Sequence, residues 1–253
     1  IMLVICCMFI TGLISIPLWL SNQSQKIISA NATSTAFAVA TQQRIATATI
    51  VARSTQQAQY EYISYFNQNL ENWYIGEDNT EYGDVKVSIK NGVYIWEILD
   101  PKGHIQGTAL YPTGSVIEDF DAYIDSKFVD SSALGAVCSG LIFRKSALSW
   151  DDGAYVFSIC NDSHYEVHYY QSNTWETIKA SSSDAIQQTD WNRIGISARG
   201  DHYIFTINNL DVFEMTDDRR KNGGIRIFIG GENNNSAVIW FDNFGFQIRY
   251  GKQ

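Results

Sequence analysis

The sequence predicts an all-β domain, a two-sheet antiparallel jelly-roll sandwich over residues 60–253, preceded by one transmembrane helix and a partly helical stalk. Three observations carry this. From about residue 60 onward, apolar residues recur in short alternating runs separated by turn residues, and no helical period of useful length appears. Aromatic residues make up 13% of the chain, much of it Tyr and Trp within those runs, where pleated, half-buried surfaces favour them. Residues 1–20, by contrast, read IMLVICCMFITGLISIPLWL without a single charge.

An uncharged run of that length just spans a hydrocarbon core of ~30 Å as a helix. A cleaved signal peptide would have a shorter apolar region ending in a small-residue cleavage site, so the expected element is a membrane anchor. Cys6 and Cys7 fall inside it; acylation is one reading, and two small apolar residues in lipid the other. Residues 21–59 are rich in Ala, Thr, Ser and Gln and too poor in large apolar side chains to build a core. They contain no Pro or Gly, unlike a flexible Gly/Ser linker, and Ala and Gln favour helix. A partly helical stalk is expected there.

Within the domain, DVKVSIKNGVYIWEI carries the strongest local signal, since Asn91-Gly92 between alternating runs is a two-residue hairpin turn. That loop pairs Ile89 with Tyr94, Val87 with Trp96 and Val85 with Ile98 on one apolar face. On the other face Lys86 meets Glu97. Further strands follow at short intervals: FDAYIDSKFV, VCSGLIFR, YVFSIC, YEVHYY, RIGISA, YIFTIN, IRIFIG and VIWFDNFGFQI. About ten to twelve short strands in one domain are most economically closed as two packed sheets.

Setting Phe143 opposite Tyr155 brings Leu141 to Phe157, Ser139 to Ile159 and Cys138 to Cys160. Opposed positions lie ~4.5–5.5 Å apart, which suits a disulfide, and disulfides persist in oxidising compartments. The sandwich is therefore expected on the extracytoplasmic side of a cell membrane; two buried free thiols are the alternative. The formal net charge of -9 argues against a nucleic-acid partner, which needs a concentrated basic surface.

The second half, DWNRIGISARGDHYIFTINNLDVFEMTDD…GGIRIFIGG…VIWFDNFGF, resembles the concanavalin A-like lectin/glucanase superfamily, and within it the bacterial 3-keto-disaccharide hydrolase-like modules. The matching residues are Trp191-Asn192, Ala198 to Asp201, Ile207-Asn208, Gly224 to Ile227 and Phe241 to Phe244. The resemblance covers about residues 60–248. It implies two curved antiparallel sheets whose concave face often binds sugars. Glucanases of this superfamily place their carboxylates as Glu-x-Asp-x-x-Glu on one strand. The nearest stretch here, Glu214-Met-Thr-Asp217-Asp218, has the wrong spacing, so no catalytic residue is assigned and no enzyme activity is expected.

Other constellations are weaker. His164, Glu166 and His168 alternate along one strand and share a face, as a metal site or as the polar side of a strand cored by Tyr165, Val167 and Tyr169. Asp151, Asp152 and Asp242, with Asn161-Asp162, could offer oxygens to a structural calcium; turn chemistry explains the same residues. No other cofactor is indicated. Trp150 and Trp175 lie in polar, loop-like stretches (SALSWDDG, SNTWETIK) and are the candidate glycan-stacking residues, whereas Trp73, Trp96, Trp191 and Trp240 read as core. Arg199-Gly200-Asp201 spells an adhesion tripeptide but sits where a tight hairpin is needed.

Two functional readings follow. The first is a non-catalytic accessory or scaffold subunit that contacts the lipid bilayer through its anchor and other membrane-protein subunits through helix, stalk and sandwich. It is preferred, because no acid pair or aromatic platform stands out. The second is a cell-surface module that binds glycan; a glycoside-acting hydrolase is third.

Overall fold

The computed structural model describes residues 62–69, 73–80, 83–101, 105–110, 117–130, 136–146, 152–231 and 236–249. The expected anchor (1–20) and stalk (21–59) lie outside the described residues. Among the described residues, no helix is long and apolar enough to cross a membrane.

The described residues form fifteen strands: β1 (Tyr62–Ser64), β2 (Gly76–Thr80), β3 (Gly83–Lys90), β4 (Val93–Pro101), β5 (Ile105–Leu110), β6 (Phe120–Asp130), β7 (Val137–Lys145), β8 (Ala154–Cys160), β9 (His164–Gln171), β10 (Thr174–Ser182), β11 (Asn192–Arg199), β12 (His202–Ile207), β13 (Leu210–Thr216), β14 (Gly224–Gly231) and β15 (Ala237–Ile248). They build two antiparallel sheets. The nine-stranded sheet runs β13-β12-β11-β6-β15-β4-β3-β2, with β1 also pairing β15, and the six-stranded sheet runs β10-β9-β8-β7-β14-β5. The fold is an all-β sandwich of the jelly-roll kind.

The Asn-Gly hairpin has the expected register, with Val85, Val87 and Ile89 opposite Ile98, Trp96 and Tyr94. Asn91 and Gly92 both take positive φ, 53° and 77°, as a primed turn requires. Lys86 does lie opposite Glu97, but its ion pair is with Glu77 on β2, at 2.8 Å. A strand with neighbours on both sides chooses between two cross-strand partners, and the hairpin alone shows one.

Alternating residues of both sheets meet in a single core. Phe66 stacks on Tyr94, with Trp73 tilted against Phe66 and edge-on to Phe244; Phe143, Tyr155, Tyr203 and Phe205 form a second interlocked group. Ser126 and Ser139, both buried, share a 2.6 Å hydrogen bond across the two sheets. Trp73 and Trp96 are core residues, but Trp191 and Trp240 are only part-buried. On β15 it is Ile239 and Phe241 that face inward, so alternation turns Trp240 to the outer side.

β7 and β8 pair as the aromatic register requires, with Phe143 opposite Tyr155 and Cys138 opposite Cys160. A disulfide joins the two cysteines, 22 residues apart in sequence. Closing a loop of that length restricts the unfolded chain by about 3 kcal/mol. The double substitution Cys138→Ser, Cys160→Ser is expected to lower stability by roughly that amount, read from urea midpoints; unchanged midpoints would contradict it.

The matched positions of the second half serve the scaffold. Asn192 is fully buried. Its Oδ1 accepts from the Gln187 N–H, and its Nδ2 donates to the carbonyls of Gln187 and Asp190. Gly200, at φ 59°, turns the β11–β12 hairpin, so the tripeptide there is a turn. Asn243, at φ 51°, forms the bulge of β15.

Candidate active face of the six-stranded sheet

The site follows from strand alternation. On β9, Tyr165, Val167 and Tyr169 enter the core, so His164, Glu166, His168 and Tyr170 point away from it. Cross-strand register then fixes their neighbours. Glu166 lies opposite Ser158, which lies opposite Gly140, which lies opposite Phe228. One row along, His168 is followed by Val156, Ile142 and Arg226.

The middle of this face is closed and its margins are open. Ile142, Ala154, Val156 and Phe228 form a second, separate hydrophobic cluster against which Trp175 packs. The side chains of His164, Glu166 and His168 keep 24%, 28% and 15% of their exposure, enough for a ligand to reach them. A Cβ at Gly140 would press on the backbone of β8, 2.7 Å from the Cα of Ser158, so only glycine allows this approach. The Ser158 hydroxyl, directly opposite Glu166, is buried without a hydrogen-bond partner.

A hydrogen-bonded line crosses the margin. The Glu166 carboxylate meets His164 Nε2 at 3.1 Å through Oε1 and His168 Nε2 at 2.8 Å through Oε2. His164 Nδ1 also contacts the Asp162 carboxylate, and His168 Nδ1 lies 3.2 Å from the Thr177 hydroxyl. The hydrogen bond from His168 holds the Glu166 carboxyl below the usual carboxylate range, against the opposing effect of burial. Glu166 is thus a fixed, ionised acceptor. It is poorly suited to be the proton-donating acid of a glycosidase, which needs a raised pKa.

Aromatic rings stand beside this line. The centroids of Trp175 and Tyr170 are 4.9 Å apart, and Trp175 meets His168 edge-on at 5.5 Å. Trp175 does not lie in a loop: it belongs to β10. That strand is polar on both faces because it is the free edge of the sheet, which hid its alternation. Trp150 and Asp151 lie outside the described residues. Asp152 accepts from Arg220 Nη1 through its main-chain carbonyl, and Asp242 accepts from the N–H of Asn243. They belong to different sheets, Asp152 just before β8 and Asp242 on β15 opposite Asp125, so the described residues do not gather them into one calcium set. The Glu214–Asp217 stretch is also dispersed: Glu214 pairs with His202, and Asp217 with Arg219 and Tyr155.

The model of the 3-keto-alpha-glucoside-1,2-lyase-like domain family matches residues 61–247. The chain belongs to this family. Among solved structures, the lyase-like domain resembles a Bacillus licheniformis β-glucanase at a TM-score of 0.57 and 10% identity, over 74% of this chain and 98% of that one. It also resembles a Clostridium perfringens endo-β-galactosidase that releases GlcNAcα1-4Gal, with a TM-score of 0.55, 10% identity and coverage of 74% and 62%. A weaker likeness, with a TM-score of 0.49 at 16% identity over 71% and 97%, links it to the Bacillus subtilis carbohydrate-binding module CBM66. At such identities the first two likenesses establish the fold alone. No match was found among curated proteins.

The carboxylates of the lyase-like domain also set its acid response. Burial would raise Asp121 and Asp217, but hydrogen bonds outweigh it: from Ser197, Arg199 and Arg249 onto Asp121, and from Arg219 and Tyr155 onto Asp217. With Glu166, all three sit below their ordinary values in the folded state. A depressed folded-state pKa contributes stability that is complete above the unfolded value of ~4 and lost as pH falls through the folded one. Urea midpoints are therefore expected to hold from about pH 7 to 5 and to fall between about pH 4 and 3. A midpoint unchanged down to pH 3 would refute the assignment.

Proposed function

We propose that the domain binds carbohydrate on the outer face of its six-stranded sheet, around Glu166, with Trp175 and Tyr170 as the aromatic wall. One observation carries the reading: an ionised carboxylate is held between two imidazoles on a part-exposed face, beside an indole. A carboxylate accepts hydrogen bonds from vicinal hydroxyls, imidazoles can donate or accept, and an aromatic ring packs on the apolar side of a pyranose. Membership of a family named for a 3-keto-α-glucoside supports an α-glucoside as ligand, with the 3-keto sugar the form to test first.

A second reading, elimination across C1 and C2 of such a sugar, is favoured by the 2.8 Å bond from His168 to Glu166. A ketone at C3 acidifies the hydrogen on C2. His168, whose Nε2 is held by Glu166, would take that proton at Nδ1 in place of its contact with the Thr177 hydroxyl, as the C1–O bond breaks and a solvent water protonates the leaving oxygen. The scaffold-subunit reading has no support among the described residues. The disulfide supports placing the domain outside the cytoplasm, and we keep residues 1–20 as the proposed anchor.

Calorimetric titration of the full chain with methyl α-glucoside and its 3-keto derivative tests the reading. Binding is expected, stronger for the keto sugar. Trp175→Ala is expected to weaken it by about tenfold, a single aromatic contact of ~1 kcal/mol or more, without changing the circular dichroism. Absence of binding to either sugar would overturn the proposal. Release of methanol together with the C1=C2 unsaturated ketone would establish the second reading, whereas methanol with the free keto sugar would mark hydrolysis.

A further inference from the structure

The opposite margin of the same face has a different chemistry. On β14, Ile225, Ile227 and Ile229 enter the core, so Arg226 points outward like Phe228, in the row that leads through Ile142 and Val156 to His168. Arg226 is part-buried. Among the described residues it has no carboxylate or carbonyl partner, and burial alone pulls its pKa down. The other arginines facing the sheets contrast with it: Arg193 forks onto Asp125, and Arg199 and Arg249 share Asp121.

Its neighbours add to the positive charge. The Lys145 side chain is buried, at 3% exposure. Its ammonium donates to the Ser146 carbonyl at 2.7 Å. It is pushed down to about 8, first by burial and next by the charge of Arg226, with Arg220 adding to the effect and Asp152 opposing it. Arg220 donates to the main-chain carbonyls of Asp152 and Asn222. So, among the described residues, three cations gather at one end of the face with Asp152 as the acid that acts on them. Desolvating a cation without a counter-charge is costly, and a guanidinium fork matches a carboxylate, sulfate or phosphate in two parallel hydrogen bonds.

We propose that Arg226 is the receptor for an anionic substituent of the ligand, so that the preferred carbohydrate is an acidic one, carrying a uronate or an ester-linked sulfate or phosphate. This rests on the carbohydrate reading above. Three strand spacings separate Arg226 from His168 at about 4.8 Å each, or about 14 Å. That distance suits an oligosaccharide whose neutral sugar meets Glu166 and whose charged unit reaches Arg226.

The test compares maltotriose with the same trisaccharide oxidised at C6 to uronates, and with inorganic sulfate alone. Binding to the full chain is measured by calorimetry, and the Arg226 Nε–H resonance is followed by NMR. The oxidised sugar is expected to bind at least about tenfold more tightly than maltotriose, as one charge-assisted contact supplies, with the preference shrinking as salt rises. Arg226→Gln is expected to abolish the preference and leave maltotriose binding in place. Equal affinity for the two sugars in the wild type, or a preference that survives Arg226→Gln, overturns the proposal. If neither sugar binds, the carbohydrate reading fails; a sulfate-induced shift of Arg226 would then keep the anion site for a non-sugar ligand, and no shift would remove that too.

Discussion

Glu166→Gln is expected to weaken carbohydrate binding by about a hundredfold while moving the melting temperature by only ~3 °C. The carboxylate is the hub of the line from Asp162 to Thr177, accepting from His164 at 3.1 Å and from His168 at 2.8 Å. An amide of the same size offers one acceptor oxygen instead of two and carries no charge. One imidazole then faces an N–H₂ group and must turn or lose its bond. Any sugar hydroxyl that donated to the carboxylate loses a charge-assisted partner at the same time. Two vicinal hydroxyls losing such a partner at ~1.5 kcal/mol each give the hundredfold. Stability changes little because the group sits at an exposed margin, where an ion pair is worth about 1 kcal/mol or less. Calorimetry and thermal melts read the two effects separately. Wild-type affinity in the variant would show that Glu166 organises the strand and not the ligand.

Arg144→Met is expected to act in the reverse sense, lowering stability by about 4 kcal/mol. Arg144 is fully buried at a positive φ of 58°, which turns its side chain out of the β7 alternation. Its Nη1 donates to the carbonyls of Ile117 and Lys221, and its Nη2 donates to the Gly200 carbonyl at 2.9 Å. The guanidinium also lies over the rings of Phe120 and Tyr203, 5.5 Å and 5.6 Å from their centroids. One side chain thus ties the segment before β6, the β11–β12 turn and the segment before β14. Methionine fills much of the volume but withdraws all three bonds; the Ile117 carbonyl keeps the Gly223 N–H, while the carbonyls of Lys221 and Gly200 lose this donor. For a domain of this size the loss corresponds to a fall of roughly 10 °C in melting temperature. Gly223 must accompany Arg144, since a Cβ there would run into the Arg144 backbone. A Met variant that melts within ~2 °C of wild type would contradict this account.

The sandwich was legible because its strands announce themselves twice, by alternation and by turn residues. Asn91-Gly92 and the Phe143–Tyr155 register each predicted a whole ladder, and both ladders are present. What the sequence hid was position within a sheet. β10 and β13 are edge strands; with one neighbour each and polar residues on both faces, they carry no clear period, and Trp175 consequently read as a loop residue. Trp240 read as core because it stands in an apolar run, yet alternation on β15 turns it outward.

The candidate site was half legible. The spacing of His164, Glu166 and His168 places them on one face of β9, but a strand seen alone cannot distinguish a polar solvent face from a ligand margin. That distinction required the neighbours brought by β7, β8 and β14: Gly140, Ser158 and Arg226, far apart in sequence and each ordinary by itself. Arg226 stood within the family-like stretch GGIRIFIGG and carried no signal, because its lack of a paired carboxylate among the described residues exists only in three dimensions.

The most direct test of the carbohydrate site is an NMR titration of the isotope-labelled chain with the 3-keto derivative of methyl α-glucoside, following backbone amides and the Trp175 indole. Saturable shifts are predicted along β9 and β10, centred on Glu166, His168 and Trp175, with the nine-stranded sheet unmoved. Shifts confined to the nine-stranded sheet, or none up to millimolar sugar, would contradict the assignment of this face as the carbohydrate site.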